Sequence, residues 1–244
     1  MIPLILIPGH LCDHRLYAGL SPTLARRFDL RLAPPPKQDD IAAMAEAALG
    51  LAAGPAAFAG LSMGGMVAMA AIAQAPDRVL GAALFATDPT PARPREIAWR
   101  AGLRARVEEE GLATFVDAFL PNCLARDAGD RSAAFPTQAR AMMLDAPAAR
   151  FFAQARALDA RRDMLGAVAA FPGPVEIVVG AGDRVCPPLL HRRLAEAAPA
   201  AALAELPGVG HLLTMEAPQA ATAALERLAA RIDPLSAPGR PVRR

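Results

Sequence analysis

The segment Phe58-Ala59-Gly60-Leu61-Ser62-Met63-Gly64-Gly65-Met66 constrains this chain more than any other stretch. An apolar run from Ala56 to Leu61 stops at a Gly-x-Ser-x-Gly-Gly turn. A second apolar run, Met66 to Ala73, begins at once and meets no proline before Pro76. The spacing predicts a strand delivered directly into a helix. On so sharp a bend the serine is lifted clear of the backbone, and Gly60 and Gly64 leave space where a Cβ would collide. The pattern is that of a nucleophile elbow with Ser62 at its tip. Serine occurs only at 21, 62, 132 and 236, and glycine 18 times in 244 residues, so about 0.02 such patterns are expected by chance.

The surrounding chain alternates in the same way. Pro3 to Ile7 is almost wholly apolar and ends at Pro8-Gly9, as expected of a strand buried on both faces of a parallel sheet. A loop from Gly9 to Asp13 leads to a predicted helix with Leu16, Leu20 and Leu24 on one face, interrupted near Ser21-Pro22. Phe28 to Leu32 reads as a second strand. Pro34-Pro35-Pro36 breaks the pattern, and Asp39-Asp40 caps a helix over Ile41 to Leu51. With Val79 to Phe85 as the next strand, the first ninety residues have the order of a doubly wound parallel sheet.

That order stops at Pro89. From there to about Leu165 the sequence offers only helical segments, around Ile97 to Glu110, Thr114 to Leu120, Ala139 to Leu144 and Ala149 to Leu165. They carry Trp99, Phe115, Phe119, Met142, Met143, Phe151 and Phe152. An insertion of this kind packs as a helical mini-core or lines an apolar pocket. Alternation resumes with the strand Val175 to Val179 and the turn Gly180-Ala181-Gly182-Asp183. A helix from Pro188 to Ala197, a strand from Ala201 to Leu206, the loop Gly208-Val209-Gly210-His211 and a helix from Ala217 to Ile232 follow. The expected division is core (1–88), helical cap (89–165), core (166–232) and a disordered tail (233–244).

Composition narrows the function. With 26 basic and 24 acidic residues, the net charge of +2 carries no electrostatic footprint for nucleic acid or an anionic membrane. The apolar start has no basic flank and is too short for a signal peptide or a membrane span, so a cytoplasmic protein is expected. Cys12, Cys123 and Cys186 lack metal-ligand spacing and read as free thiols in a reducing compartment. Neither disulfide, metal nor cofactor is expected.

A serine hydroxyl is a weak nucleophile at neutral pH and needs a base, which an acid must orient. Of the histidines at 10, 14, 191 and 211, only His211 sits in a loop after the last strand, where the order serine, acid, histidine places the base. His191 falls inside a predicted helix and is expected to be solvated. Two carboxylates follow core strands and compete as the acid, Asp88 and Asp183. Asp88 precedes Pro89, which suits a hinge or a local loop hydrogen bond.

The motifs Gly60-Leu61-Ser62-Met63-Gly64-Gly65, Gly180-Ala181-Gly182-Asp183-Arg184-Val185-Cys186-Pro187 and Pro207-Gly208-Val209-Gly210-His211 together resemble the α/β-hydrolase superfamily. Within it they are similar to small capped esterases, the branch of pimeloyl-ACP methyl ester esterase and 3-oxoadipate enol-lactonase. The resemblance implies about six mostly parallel strands with a helical cap. It makes Ser62 the nucleophile, His211 the general base and acid, and Asp183 the orienting carboxylate. The oxyanion would be held by the backbone N–H groups of His10 and Met63. Two departures accompany it: Pro8 stands where the family usually has a histidine that braces the oxyanion loop, and the two antiparallel strands common before this point are absent, which leaves a sheet edge that a partner subunit could cover.

The implied activity is cofactor-independent hydrolysis of a carboxylic ester, lactone or thioester. Relatives with the same triad are C–C bond hydrolases, prolyl aminopeptidases and perhydrolases; a ligand receptor on this fold is the non-enzymatic alternative. The cap carries 12 arginines against ten acidic residues. That composition reads as a solvated face of mixed charge, or as a docking face for an acyl carrier protein.

Overall fold

The structure, a computed structural model, describes residues 1–125 and 134–236. The elements run β1 (Ile2–Ile7), β2 (Phe28–Leu32), α1 (Ile41–Leu49), β3 (Ala56–Leu61), α2 (Met63–Gln74) and β4 (Val79–Phe85). Next come α3 (Pro94–Glu110), α4 (Leu112–Cys123), α5 (Ala134–Leu144), α6 (Ala148–Asp159) and α7 (Leu165–Ala170). The chain closes with β5 (Val175–Gly180), α8 (Pro188–Ala197), β6 (Ala201–Leu206), α9 (Leu213–Glu216) and α10 (Pro218–Ser236).

All six strands are parallel and lie in the order β2-β1-β3-β4-β5-β6. Burial follows from that order. Every residue of the central strands β3 and β5 is buried, because helices cover both faces, whereas β2 and β6 at the edges keep partly exposed positions. Ile5, Ile7, Phe58, Leu84 and Ile177 form one core with residues of α1, α2, α7 and α8. On the opposite face Leu4, Leu6, Ala59, Phe85 and Val178 form the other, with α10 and the inner sides of α3, α4 and α5. The chain leaves β1 for β2 on one side and reaches β3 on the other, so the strand order reverses between β1 and β3. In parallel sheets that point opens a crevice at the carboxyl ends of the strands. Ser62 and the Pro8-Gly9-His10 segment both lie there.

Several boundaries differ from the sequence reading. Residues 14–26 form two short 3₁₀ turns instead of a helix, because Asp13 and Ser21 each accept an N–H two residues on and Pro22 restarts the chain. The helix expected over Ala149 to Leu165 ends at Asp159; the Leu165 N–H is taken by Asp163 Oδ1 at 2.8 Å, which starts α7 instead. The single turn α9 was not anticipated. Residues 233–236, expected in the tail, belong to α10, and 237–244 lie outside the described residues. Among the described residues no helix is long and apolar enough to cross a membrane.

Candidate active site

Ser62 adopts φ 57° and ψ −118°, a conformation that costs a side-chain-bearing residue about 1–3 kcal/mol. The surroundings impose it. Its N–H donates to Phe85 O at 2.8 Å, and its carbonyl accepts from Thr87 Oγ1 at 2.8 Å and from Gly65 N at 2.9 Å. A Cβ on Gly60 would sit 2.1 Å from the Gly64 carbonyl carbon, and one on Gly64 would sit 2.1 Å from Ile7 O. Close approach of β1, β3 and α2 therefore requires both glycines. Helix α2 begins at Met63, so the Met63 N–H lies at the positive end of a helix whose first amides have no intrahelical partner.

His211 and Asp183 come together from the loops after β6 and β5. The His211 Nδ1 to Asp183 Oδ2 distance is 2.8 Å, with both side chains buried. The other carboxylate oxygen accepts the Val185 and Cys186 amides, each at 2.8 Å. Both oxygens of Asp183 are thereby engaged as acceptors, and Oδ2 fixes the Nδ1–H tautomer of His211, leaving Nε2 able to take a proton. The histidine loop is anchored twice more: the His211 N–H donates to Cys123 O at 2.7 Å, and the Gly210 N–H donates to Glu216 Oε2 at 2.8 Å. Burial pushes the Glu216 carboxyl up despite the amides it accepts.

Asp88, the competing acid, is committed elsewhere. Its Oδ1 accepts from Thr90 N at 2.8 Å and from Thr90 Oγ1 at 2.7 Å, while Oδ2 pairs with the buried Arg161 at 3.2 Å. His191 corrects the sequence reading, because it is fully buried rather than solvated. Its Nε2 accepts the Thr87 N–H at 2.8 Å, so the ring is neutral with its proton on Nδ1, near Pro187 O. Burial also lowers its pKa. Thr87 thus connects His191 to the serine carbonyl. Helical periodicity gave no hint of that contact, since α8 presents His191 to the sheet at the spacing of Leu190 and Leu194.

Gly9 to Cys12 form a turn closed by a Cys12 N–H to Gly9 O bond at 3.1 Å, and Gly9 packs against Leu61 O and Ser62 Cβ. The turn carries the His10 amide beside the serine. The His10 ring lies 5.7 Å from the centroids of both Phe115 and Phe151. Burial, with the Arg100 guanidinium in second place, lowers its pKa to about 4 against the pull of the Phe151 carbonyl, so the ring is neutral near pH 7.

Ser62, His10 and His211 line one small cavity of about 20 Å³. Ser62 and His10 also line a larger one of about 310 Å³ beneath α3, α4 and α6, walled mainly by Met66, Trp99, Leu103, Phe115, Phe151 and Leu158. At its rim Arg161 pairs with Asp88 and Glu96, and Arg100 and Arg104 share Asp159. Arg93, Arg106, Arg140 and Arg156 also face carboxylates, which leaves the outer face mixed in charge; Arg126 and Arg131 lie outside the described residues. The three thiols are buried and unpaired.

Known proteins share this fold. Among solved structures, a thermophilic esterase from Thermogutta terrifontis superposes with a TM-score of 0.87 at 25% identity, over 95% of this chain and 90% of that one. The enol-lactonase from Burkholderia xenovorans gives a TM-score of 0.84 at 23% identity, covering 94% and 92%. A carboxylesterase of Nitrososphaera gargenis gives 0.79 at 18% identity, covering 96% and 91%. No curated protein matches the chain in sequence. Residues 4–225 match the model of the alpha/beta hydrolase family, and the chain belongs to that family.

Proposed function

We propose that this protein is a cofactor-independent serine hydrolase that cleaves a small or medium carboxylic ester through an acyl-enzyme on Ser62. The observation that carries the reading is the buried His211–Asp183 bond beside a strained serine on one shared cavity. His211 Nε2 takes the Ser62 Oγ proton as Oγ bonds to the substrate carbonyl carbon. The carbonyl oxygen becomes an oxyanion facing the His10 and Met63 N–H groups. Collapse breaks the bond to the alcohol, which leaves with the proton from Nε2. Water, deprotonated by the same nitrogen, then attacks the acyl group and frees Ser62. Asp183 accepts the Nδ1–H throughout and stabilises the imidazolium at each step.

In this reading residues 89–165 act as a cap whose apolar inner face receives the acyl chain. The volume of about 310 Å³ suits a short or medium group. Likeness to an enol-lactonase supports a lactone as the second substrate class, since ring opening uses the same steps with the alcohol tethered. The test is fluorophosphonate labelling combined with a panel of p-nitrophenyl esters of graded length, a lactone and an aminoacyl anilide. Labelling at Ser62 with ester or lactone turnover is the expected result. Cleavage of the anilide alone would move the assignment to peptidases, and an unlabelled Ser62 would leave a ligand receptor.

A further inference from the structure

The turn that carries the His10 amide contains an unfavourable residue. Leu11 has φ 57°, one of three positive values among the described non-glycine residues, and His10 is not among them. A positive φ only at the third residue of a closed turn marks the type II arrangement, in which glycine or asparagine normally stands. Type I and type II turns differ by a flip of the central peptide, here His10–Leu11. Leucine favours the flip back, by about 1–2 kcal/mol. Something outside the turn must hold the peptide over.

The Leu11 N–H, which belongs to that peptide, donates to Gln154 Oε1 at 2.9 Å. Gln154 Nε2 donates in turn to Pro36 O at 2.6 Å. The side chain is fully buried, and both contacts span more than a hundred residues, so the amide bridges three segments: the β1 turn, the chain after β2, and α6. Its neighbours on α6, Phe151, Ala155 and Leu158, line the larger cavity.

We propose that Gln154 is a positioning residue for the oxyanion site: by holding the Leu11 N–H it anchors the Gly9–Cys12 turn, and with it the neighbouring His10 N–H, beside the carbonyl oxygen held at Ser62. This rests on the serine-hydrolase reading. The bracing that a histidine at position 8 would supply thus comes from the insertion. Gln154 need not touch substrate. Its loss frees the strained turn to shift, so the oxyanion loses the fixed placement of one donor while ground-state binding in the cavity is unchanged. Removal of one such donor costs roughly 10²–10³ in kcat, and a turn that is displaced for part of the time loses a fraction of that.

The experiment measures kcat and KM on a short p-nitrophenyl ester, per active site titrated with a fluorophosphonate, for the parent and for Gln154→Met, Gln154→Asn and Gln154→Glu. Met removes both hydrogen bonds at similar volume, Asn is too short to span them, and Glu keeps an oxygen for the Leu11 N–H. The expected result is a fall in kcat of about 10- to 100-fold for Met and Asn with KM within about threefold. Glu recovers most of the loss, and inhibition by a trifluoromethyl ketone weakens in step with kcat. Counting titrated sites separates misfolded protein from slow enzyme, and Asn decides the matter if Met does not fold. Unchanged kcat per site, a change confined to KM, or Glu as impaired as Met overturns the proposal. A parent that fails to label at Ser62 instead overturns the serine-hydrolase reading beneath it.

Discussion

The carboxyl ends of β3, β5 and β6 differ from the insertion that covers them in how their polar groups are satisfied. At the strand ends many of the polar contacts are main-chain amides meeting a fixed acceptor: Ser62 N–H to Phe85 O, Val185 and Cys186 to Asp183, His211 N–H to Cys123 O. In the insertion the contacts are between long side chains, with arginines shared among carboxylates, above a wall of aromatic and aliphatic groups. Main-chain bonds in a packed sheet hold atoms to within a fraction of an ångström, as bond making requires. Ion pairs between flexible side chains tolerate rearrangement, as accommodation of an acyl chain requires. Chemistry and selectivity should therefore respond to different substitutions.

The largest expected effect is at the strand ends. Ser62→Ala and His211→Ala should each lower ester turnover by on the order of 10⁵ with an unchanged circular dichroism spectrum, because members of a triad act as a unit. Activity above about a tenth of the parent's would remove either residue from the proposed chemistry. Next comes the pair of carboxylates. Asp183→Asn should cost about 10⁴ in kcat, since the imidazolium loses its counter-charge. Asp88→Asn should cost less than tenfold per folded molecule and instead lower stability by about 1–2 kcal/mol, because the buried Arg161 keeps Glu96 as its remaining carboxylate. Turnover and urea unfolding on both variants separate the two, and the reverse ranking would move the acid to β4.

A substitution in the insertion should move selectivity alone. Ala155→Phe narrows the cavity, and kcat/KM for an octanoyl ester should fall about tenfold while that for an acetyl ester stays within about twofold. Equal losses for the two chain lengths would mean that α6 does not select the acyl group.

The last effect, gradual rather than abrupt, is in the pH dependence of stability. The fold lowers the His10 pKa from 6.5 to about 4, which favours the neutral ring. That contribution is present in full above pH 6.5 and is lost as pH falls towards 4, amounting to at most about 3 kcal/mol. His191, also lowered by burial, adds with the same sign. Urea unfolding between pH 7 and 4 should show a shallower decline for His10→Phe than for the parent; an identical slope would assign the decline to His191 and the carboxylates.

The same division explains what could be read from the chain. Ser62, Asp183 and His211 lie in glycine-rich turns directly after apolar runs, so local pattern was enough to place them at strand ends, and β3, β4 and β6 were delimited to the residue. The supporting contacts were opaque. Thr87 to Ser62, Gln154 to Leu11 and Glu216 to Gly210 are side-chain bonds across folded distance or within a turn not anticipated, and an isolated Thr, Gln or Glu has no periodicity that announces it. His191 was misjudged for a related reason: in an amphipathic helix a histidine beside leucines reads as polar, yet a single main-chain donor suffices to bury it.

The hydrogen bond from the His211 amide to the carbonyl of Cys123, the last residue of α4, has a consequence for domain exchange. With Gln154 on Leu11, it fastens the covering helices to the core at two separate sites, while the Met164 N–H on Pro89 O at 2.8 Å ties the two ends of that segment together. A module tied down in that way is not a cassette. A chimera that received a relative's helices over residues 94–159, even with a well-shaped pocket, would lose an acceptor for the loop bearing the proposed base and a brace for the proposed oxyanion donor. Recombination inside this scaffold should succeed only where the incoming segment brings a carbonyl at 123 and an amide at 154 in register with the sheet it joins.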